Sequence, residues 1–234
     1  NVRACATCHG FTGNGHPESS HLAGLTPGYI SRQMADFRSG AHRSPSGSSA
    51  FRVDRSWMNS FEPTIDQIEQ AAQWFSTIPV IDWIDEVIET DTPPRTYIGD
   101  GRMRHVHPDG GTEPIDGRII EVPQDWELVT ARHPRSGFTV YAPTGSVARG
   151  EELVMTGGDG ATIECLTCHG PDLKGFGDTP RLAGISPTYV VRQLNDFRKG
   201  DRAGTLGSLM LLAVQNLSDE DIVAIAAYLA TLDP

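Results

Sequence analysis

Cys5-Ala6-Thr7-Cys8-His9 and Cys165-Leu166-Thr167-Cys168-His169 are two copies of a C-x-x-C-H motif, and together they use all four cysteines of the chain. In such a motif two thiols three positions apart can each add to a vinyl group of one haem. The histidine that follows can then ligate the iron. One copy is a moderate signal, but two copies with similar flanks and no cysteine left over are a strong one. The chemistry implied is two covalently attached haem c groups, held by Cys5, Cys8 and His9 and by Cys165, Cys168 and His169.

Other uses of four cysteines fit less well. A zinc site could take two C-x-x-C pairs, but it needs no histidine directly after each. The pairs are also separated by about 156 residues, far beyond zinc-ribbon spacing. A redox-active dithiol belongs at a strand-to-helix turn, and no strand-forming run precedes Cys5 or Cys165. Disulfides closing such tight loops would do little to constrain 234 residues.

The elements that must position these residues repeat with them. Adding 160 to each number from Cys5 to His42 gives an ungapped self-alignment in which Gly15 meets Gly175 and Leu22-Ala23-Gly24 meets Leu182-Ala183-Gly184. Tyr29 meets Tyr189, Gln33 meets Gln193, and Asp36-Phe37-Arg38 meets Asp196-Phe197-Arg198. Each copy is too long for a solenoid unit and reads as a duplicated domain. Thr26 can cap a helix that carries Pro27 in its first turn and closes at Gly40. Tyr29, Ile30, Gln33, Met34 and Phe37 follow helical spacing, as do their counterparts from Tyr189 to Phe197. A second helix starts at Thr64, where Gln67 completes a capping box, and its match starts at Ser218. The offset there is 154, which places Trp74 on Tyr228 and gives the first copy a net insertion of six residues between its helices.

A haem iron held by one histidine has a second axial position, and its occupant decides the chemistry. Met210 lies in a loop before the last helix of the second copy, and Met58 lies in the same region of the first. Both are the expected sixth ligands, giving His9/Met58 and His169/Met210 as the iron-ligating pairs. A core-filling role is the bland alternative. In the first copy His16, His21 and His42 are rival ligands, each otherwise expected as a solvated loop histidine.

On these residues the chain resembles the diheme class I c-type cytochromes, which consist of two fused monohaem domains. The resemblance rests on C-x-x-C-H-G, the Leu-Ala-Gly step, Tyr-x-x-x-Gln with the following Asp-Phe-Arg-x-Gly, and a late methionine before Leu217-Ser218-Asp219-Glu220-Asp221-Ile222. It implies that the carbonyl of Pro180 orients His169, a contact that raises ligand basicity. The first copy departs from the pattern: Ser20 stands where Pro180 does, and only four residues precede Cys5, where the family has a helix. Gly150 to Thr156 can supply that helix in the second copy.

Residues 80–147 have no repeat partner. Ile81, Trp83, Ile84 and Ile88 suggest a short amphipathic helix. Asp116-Gly117 suggests a tight hairpin between Pro114-Ile115 and Ile119–Val122, and Phe138 to Tyr141 is β-prone. With this much apolar content the segment is expected to pack across both domains rather than hang free. His105-Val106-His107 could offer two rings to a copper or zinc ion, although a solvated polar turn is the simpler reading.

These readings define a mainly α fold: a cytochrome c-like helical domain over 1–79, a partly extended connector over 80–147, and a second such domain over 148–234. A net charge of −11, with roughly four more negative charges from haem propionates, excludes a generally basic nucleic-acid surface. No transmembrane segment is present, and neither is a signal peptide. The resemblance implies the bacterial periplasm, with membrane association open through a segment or partner outside this chain. The expected function is a soluble carrier passing electrons between a redox protein donor and an acceptor. The alternatives are a catalytic diheme oxidoreductase, thiosulfate dehydrogenase- or peroxidase-like, and an electron-relay subunit of a larger enzyme.

Overall fold

The structure, a computed structural model, describes residues 4–43, 57–99 and 103–234. In the first repeat the thiol motif winds into a single turn, α1 (Ala6–His9), and α2 (Pro27–Ser39) follows it. The Thr26 hydroxyl accepts from the Tyr29 amide, Pro27 occupies the first turn, and Gly40 ends the helix in the left-handed conformation at φ 77°. A 3₁₀ turn, Trp57–Ser60, leads into α3 (Ile65–Thr77), whose capping box joins Thr64 and Gln67 in both directions. Ile30 of α2 meets Ala72 and Phe75 of α3 in a small core completed by Leu25.

The connector is built from strands. β1 (Ile84–Glu89) stands where the spacing suggests an amphipathic helix. A short apolar run satisfies both periods, and here the β-branched Ile84, Val87 and Ile88 find a partner strand. After β2 (Thr96–Ile98), β3 (Arg104–Val106), β4 (Ile120–Pro123) and α4 (Trp126–Thr130), the chain enters β5 (Phe138–Ala142). β5 is the central strand of a three-stranded sheet, parallel to β1 and antiparallel to β4. Trp83 stacks on Phe138 at 5.0 Å, over a core of Ile84, Met103, Val129 and Val140.

The Asp116-Gly117 turn exists, with both residues at positive φ and the Arg118 amide donating to the Ile115 carbonyl at 3.0 Å. The hairpin expected around it does not form. β4 pairs with β5, and the Ile115 amide is taken by the Asp91 carbonyl. β3 instead makes a two-stranded ladder with β2, in which His105 lies opposite Tyr97.

The second repeat comprises α5 (Ser146–Thr156), α6 (Leu166–His169), α7 (Pro187–Lys199), α8 (Gly207–Val214) and α9 (Asp219–Ala230). Helices α5 and α9 approach so closely at Gly150 that a Cβ there would lie 2.0 Å from the Ala224 carbonyl oxygen. Leu153, Val154, Ile222, Ala226 and Leu229 are buried in the core between them and α7. Met210 falls inside α8 and not in the loop expected from the sequence. The run Leu209–Val214 is apolar throughout and contains no breaker, so it continues a helix.

A local pseudo-twofold relates the repeats where they touch. The Arg43 amide donates to the Asp201 carbonyl, and 160 positions on the Ala203 amide donates back to Ala41, both at 2.7 Å. At the centre of this exchange His42 pairs with Arg202, and each stacks on its own repeat's phenylalanine, Phe37 or Phe197. Arg202 reaches across to Tyr29 Oη (2.7 Å) and Gln33 Oε1 (2.9 Å) while also binding Gln193. At the rim, Asp178 accepts from Thr26 and Arg32.

Candidate haem-binding sites

Both C-x-x-C-H motifs fold alike because matching short-range bonds close them. The His9 amide donates to the Cys5 carbonyl at 3.0 Å, and the His169 amide donates to Cys165 at 2.9 Å. One helical turn therefore puts each pair of thiols on one side, with Cys8 and Cys168 exposed, and all four sulfurs are free. The Gly15 amide returns to the His9 carbonyl, as Gly175 does to His169, so the following loop folds back under the imidazole.

That loop brings a carbonyl to each ring. His9 Nδ1 lies 2.7 Å from the Ser20 carbonyl oxygen, and His169 Nδ1 lies 2.7 Å from that of Pro180. A carbonyl only accepts, so Nδ1 carries the proton and Nε2 keeps its lone pair for a metal. Both histidines are buried, and burial foremost holds their pKa values below the usual imidazole range. The neutral, ligating form is thereby favoured. Ser20 accepts this bond at the same distance as Pro180, so proline is not needed to place the carbonyl.

The donor set fits covalently held haem: paired free thiols on one turn, followed by an imidazole with a fixed tautomer. Met210 is half-buried and packs on the core that Cys165 and Leu166 also touch, while Leu209 and Leu212 on the same helix are exposed. Met58 is half-buried in its 3₁₀ turn. The adjacent Asn59 fastens that turn to the end of α2, with Nδ2 donating to the carbonyls of Phe37 at 2.6 Å and His42 at 2.8 Å.

The rival histidines are not solvated. His16 and His42 are buried, and burial followed by a nearby arginine charge holds them to about 4 and about 3 respectively. His21 presents its edge to Tyr189, and its Nε2 is buried without a partner. Inter-repeat and connector packing covers all three, and neither is readable from local sequence. The rings of His105 and His107 both contact Tyr97. Among the described residues no group of three metal-ligating side chains is present.

Two connector residues that no motif announces also reach the repeats. Arg132 Nη1 donates to the Cys8 carbonyl at 2.7 Å. The buried Glu121 accepts from Ser186 Oγ at 2.7 Å and from the Thr188 amide at 3.3 Å, at the start of α7.

Comparison with known proteins agrees with this chemistry. The cytochrome c family profile matches residues 147–233. Cytochrome c-554(548) of Halomonas halodenitrificans is 40% identical over 85 residues, covering 36% of this chain and 93% of its own length. The chain belongs to the cytochrome c family. Relatives matching almost all of it include cytochrome c4 of Stutzerimonas stutzeri, 25% identical over 99% of this chain and 85% of its own. The thiosulfate dehydrogenase electron acceptor of Stutzerimonas stutzeri strain A1501 is 27% identical over 98% of this chain and 79% of its own. The structure of cytochrome c4 from Acidithiobacillus ferrooxidans has the same fold, with a TM-score of 0.59 at 20% identity over 97% of this chain and 98% of that one. The protein is a diheme electron-transfer cytochrome: two cytochrome c-like helical domains, covalently bound haem c and a partly extended connector. Among the described residues no helix is long and apolar enough to cross a membrane.

Proposed function

We propose that Cys5, Cys8, His9 and Met58 hold one haem, that Cys165, Cys168, His169 and Met210 hold the other, and that the chain ferries electrons between redox proteins in the bacterial periplasm. The domains are then 1–79 and 148–234, with 80–147 as the connector. The observation that carries this reading is the pair of 2.7 Å contacts from His9 to Ser20 and from His169 to Pro180. They leave Nε2 as the basic nitrogen and prevent ring rotation. Each bound haem supplies a one-electron ferric/ferrous couple. The chain's own part would be to attach the ring through the paired thiols, orient the imidazole and offer the Met58 or Met210 thioether as a second ligand, which would raise the potential and limit access to small molecules.

Absorption spectra of both redox states test the ligand set. In the wild type the methionine-to-ferric-iron charge-transfer band has the intensity of two haems, and the reduced protein does not bind carbon monoxide. Met210→Ala and Met58→Ala each remove about half of the band and open one haem to carbon monoxide. High-spin, carbon monoxide-binding haem in the wild type would instead indicate an open, catalytic site. The partner is a finer question, and the relative with the name thiosulfate dehydrogenase electron acceptor supports such an enzyme as the electron donor. Reduction of this protein by thiosulfate only when a thiosulfate dehydrogenase is added would establish it, and no reduction on that addition would remove it.

A further inference from the structure

The connector closes over the loop that follows one haem motif and leaves the loop after the other open. In both repeats the loop after the motif makes the same small bridge, His16 with Ser19 and Phe176 with Thr179. Yet His16 is 6% exposed and Phe176 is 75% exposed. The covering elements in the first repeat are Trp83, α4 and the segment after it, where Val129, Arg132 and Pro134 line a small cavity with Asn14 and His16.

Arg132 is placed there by construction. Asp125 caps α4 by accepting from the Glu127 and Leu128 amides, and Val129 anchors the helix in the connector core at 1% exposure. The chain then turns through Arg132 at φ 53°, a strained conformation for a non-glycine residue, fixed by the His133 amide donating to the Leu128 carbonyl at 2.8 Å. This turn delivers the guanidinium to the Cys8 carbonyl, one residue before the proximal histidine. The guanidinium also lines the same small cavity as His16.

We propose that Arg132 sets the potential of the first haem, its cation bonded to the C-x-x-C-H turn itself and favouring the ferrous over the ferric iron; the cation near the second motif is Arg202, which is shared between the repeats. The reaction concerned is the carrier's own: ferric iron takes one electron from a protein donor and loses one positive charge. A fixed cation nearby makes that gain more favourable and the reverse oxidation less so. The proposal rests on the assignment of Cys5, Cys8 and His9 to the first haem.

The test is a redox titration of the holoprotein in which paramagnetically shifted haem methyl signals report each haem separately. Arg132→Gln should make reduction of the first haem about two- to fivefold less favourable, a fall of roughly 20–40 mV at 59 mV per tenfold, and leave the second unmoved. Arg132→Lys should keep most of the wild-type value. Because Arg132 is exposed, the gap between wild type and Arg132→Gln should narrow as salt rises. Should glutamine disturb the turn, Arg132→Asn, which tolerates the left-handed conformation, carries the same test. Both potentials unchanged, both shifted equally, or a lysine variant that falls as far as glutamine at every salt concentration would overturn the proposal. A wild-type haem-to-protein ratio below two would sink the underlying haem assignment instead, independently of any shift.

Discussion

At the scale of single residues, burial decides the state of the ionisable groups more than sequence neighbours do. Glu121 sits on β4, buried, with Oε2 accepting two bonds from the start of α7 and Oε1 without a partner. Desolvation raises its pKa, and the bonds from Ser186 and Thr188 oppose that only in part. A carboxyl with a raised folded pKa binds its proton more tightly in the folded than in the unfolded state. Stability therefore falls as pH rises from the ordinary carboxylate range through the raised value, and the loss persists above it. Glu121→Gln keeps an acceptor for Ser186 and Thr188 and cannot ionise. Its melting temperature should gain on the wild type as pH rises upward from the ordinary carboxylate range. A constant difference over that rise would mean that the carboxyl is already neutral or freely solvated.

Among elements, the two repeats differ most in what lies against their last helix. In the second, α5 crosses α9 with Gly150 against the Ala224 carbonyl, and Tyr228 is half-buried beside them. In the first, Trp74, aligned with Tyr228, is 63% exposed on α3. A methyl group at Gly150 has nowhere to go because it meets backbone, which cannot rotate aside. Gly150→Ala should cost about 2–3 kcal/mol in denaturant unfolding. The loss should appear in the transition that unfolds the second repeat. The connector shows why some elements were legible and others not. The β5 run Phe138–Ala142 alternates buried and half-buried residues and could be read directly, whereas Ile84–Glu89 carries an apolar pattern that suits a helix equally. Only pairing with β5, about fifty residues away, resolves it as a strand.

For the whole molecule, the centre of the pseudo-twofold is where the duplication has diverged. Arg202 fills its position with hydrogen bonds to Tyr29, Gln33 and Gln193, whereas the equivalent His42 leaves both ring nitrogens buried and unpaired. Burial, with Arg202's charge behind it, holds His42 to about 3. A histidine with a lowered folded pKa protonates first in the unfolded chain. The stability that depends on its neutral form is thus lost as pH falls from about 6.5 toward about 3. His42→Phe retains the stack on Phe37 and cannot titrate. Relative to wild type it should gain up to about 2 kcal/mol between pH 7 and pH 5, measured by chemical denaturation of the holoprotein. Parallel pH profiles for the two proteins would show that His42 does not couple protons to the inter-repeat contact.

The sequence by itself determined the haem c class and the helices around its motifs, because the C-x-x-C-H pattern, the caps and the amphipathic faces are set by residues within a few positions of one another. Cys5 to His9, Cys165 to His169, Thr64 with Gln67 and Ser218 with Asp221 are all of this kind. Only the tertiary structure decided what meets these motifs from afar: Arg132 on Cys8, Glu121 on α7, Arg202 between the repeats, and the burial of His16 and His42. Those contacts join residues more than sixty positions apart, or depend on covering surfaces contributed by distant segments, and no local spacing encodes them. The two C-x-x-C-H motifs are thus equivalent in their bonding and unequal in their surroundings, and that inequality was settled by how the connector folds.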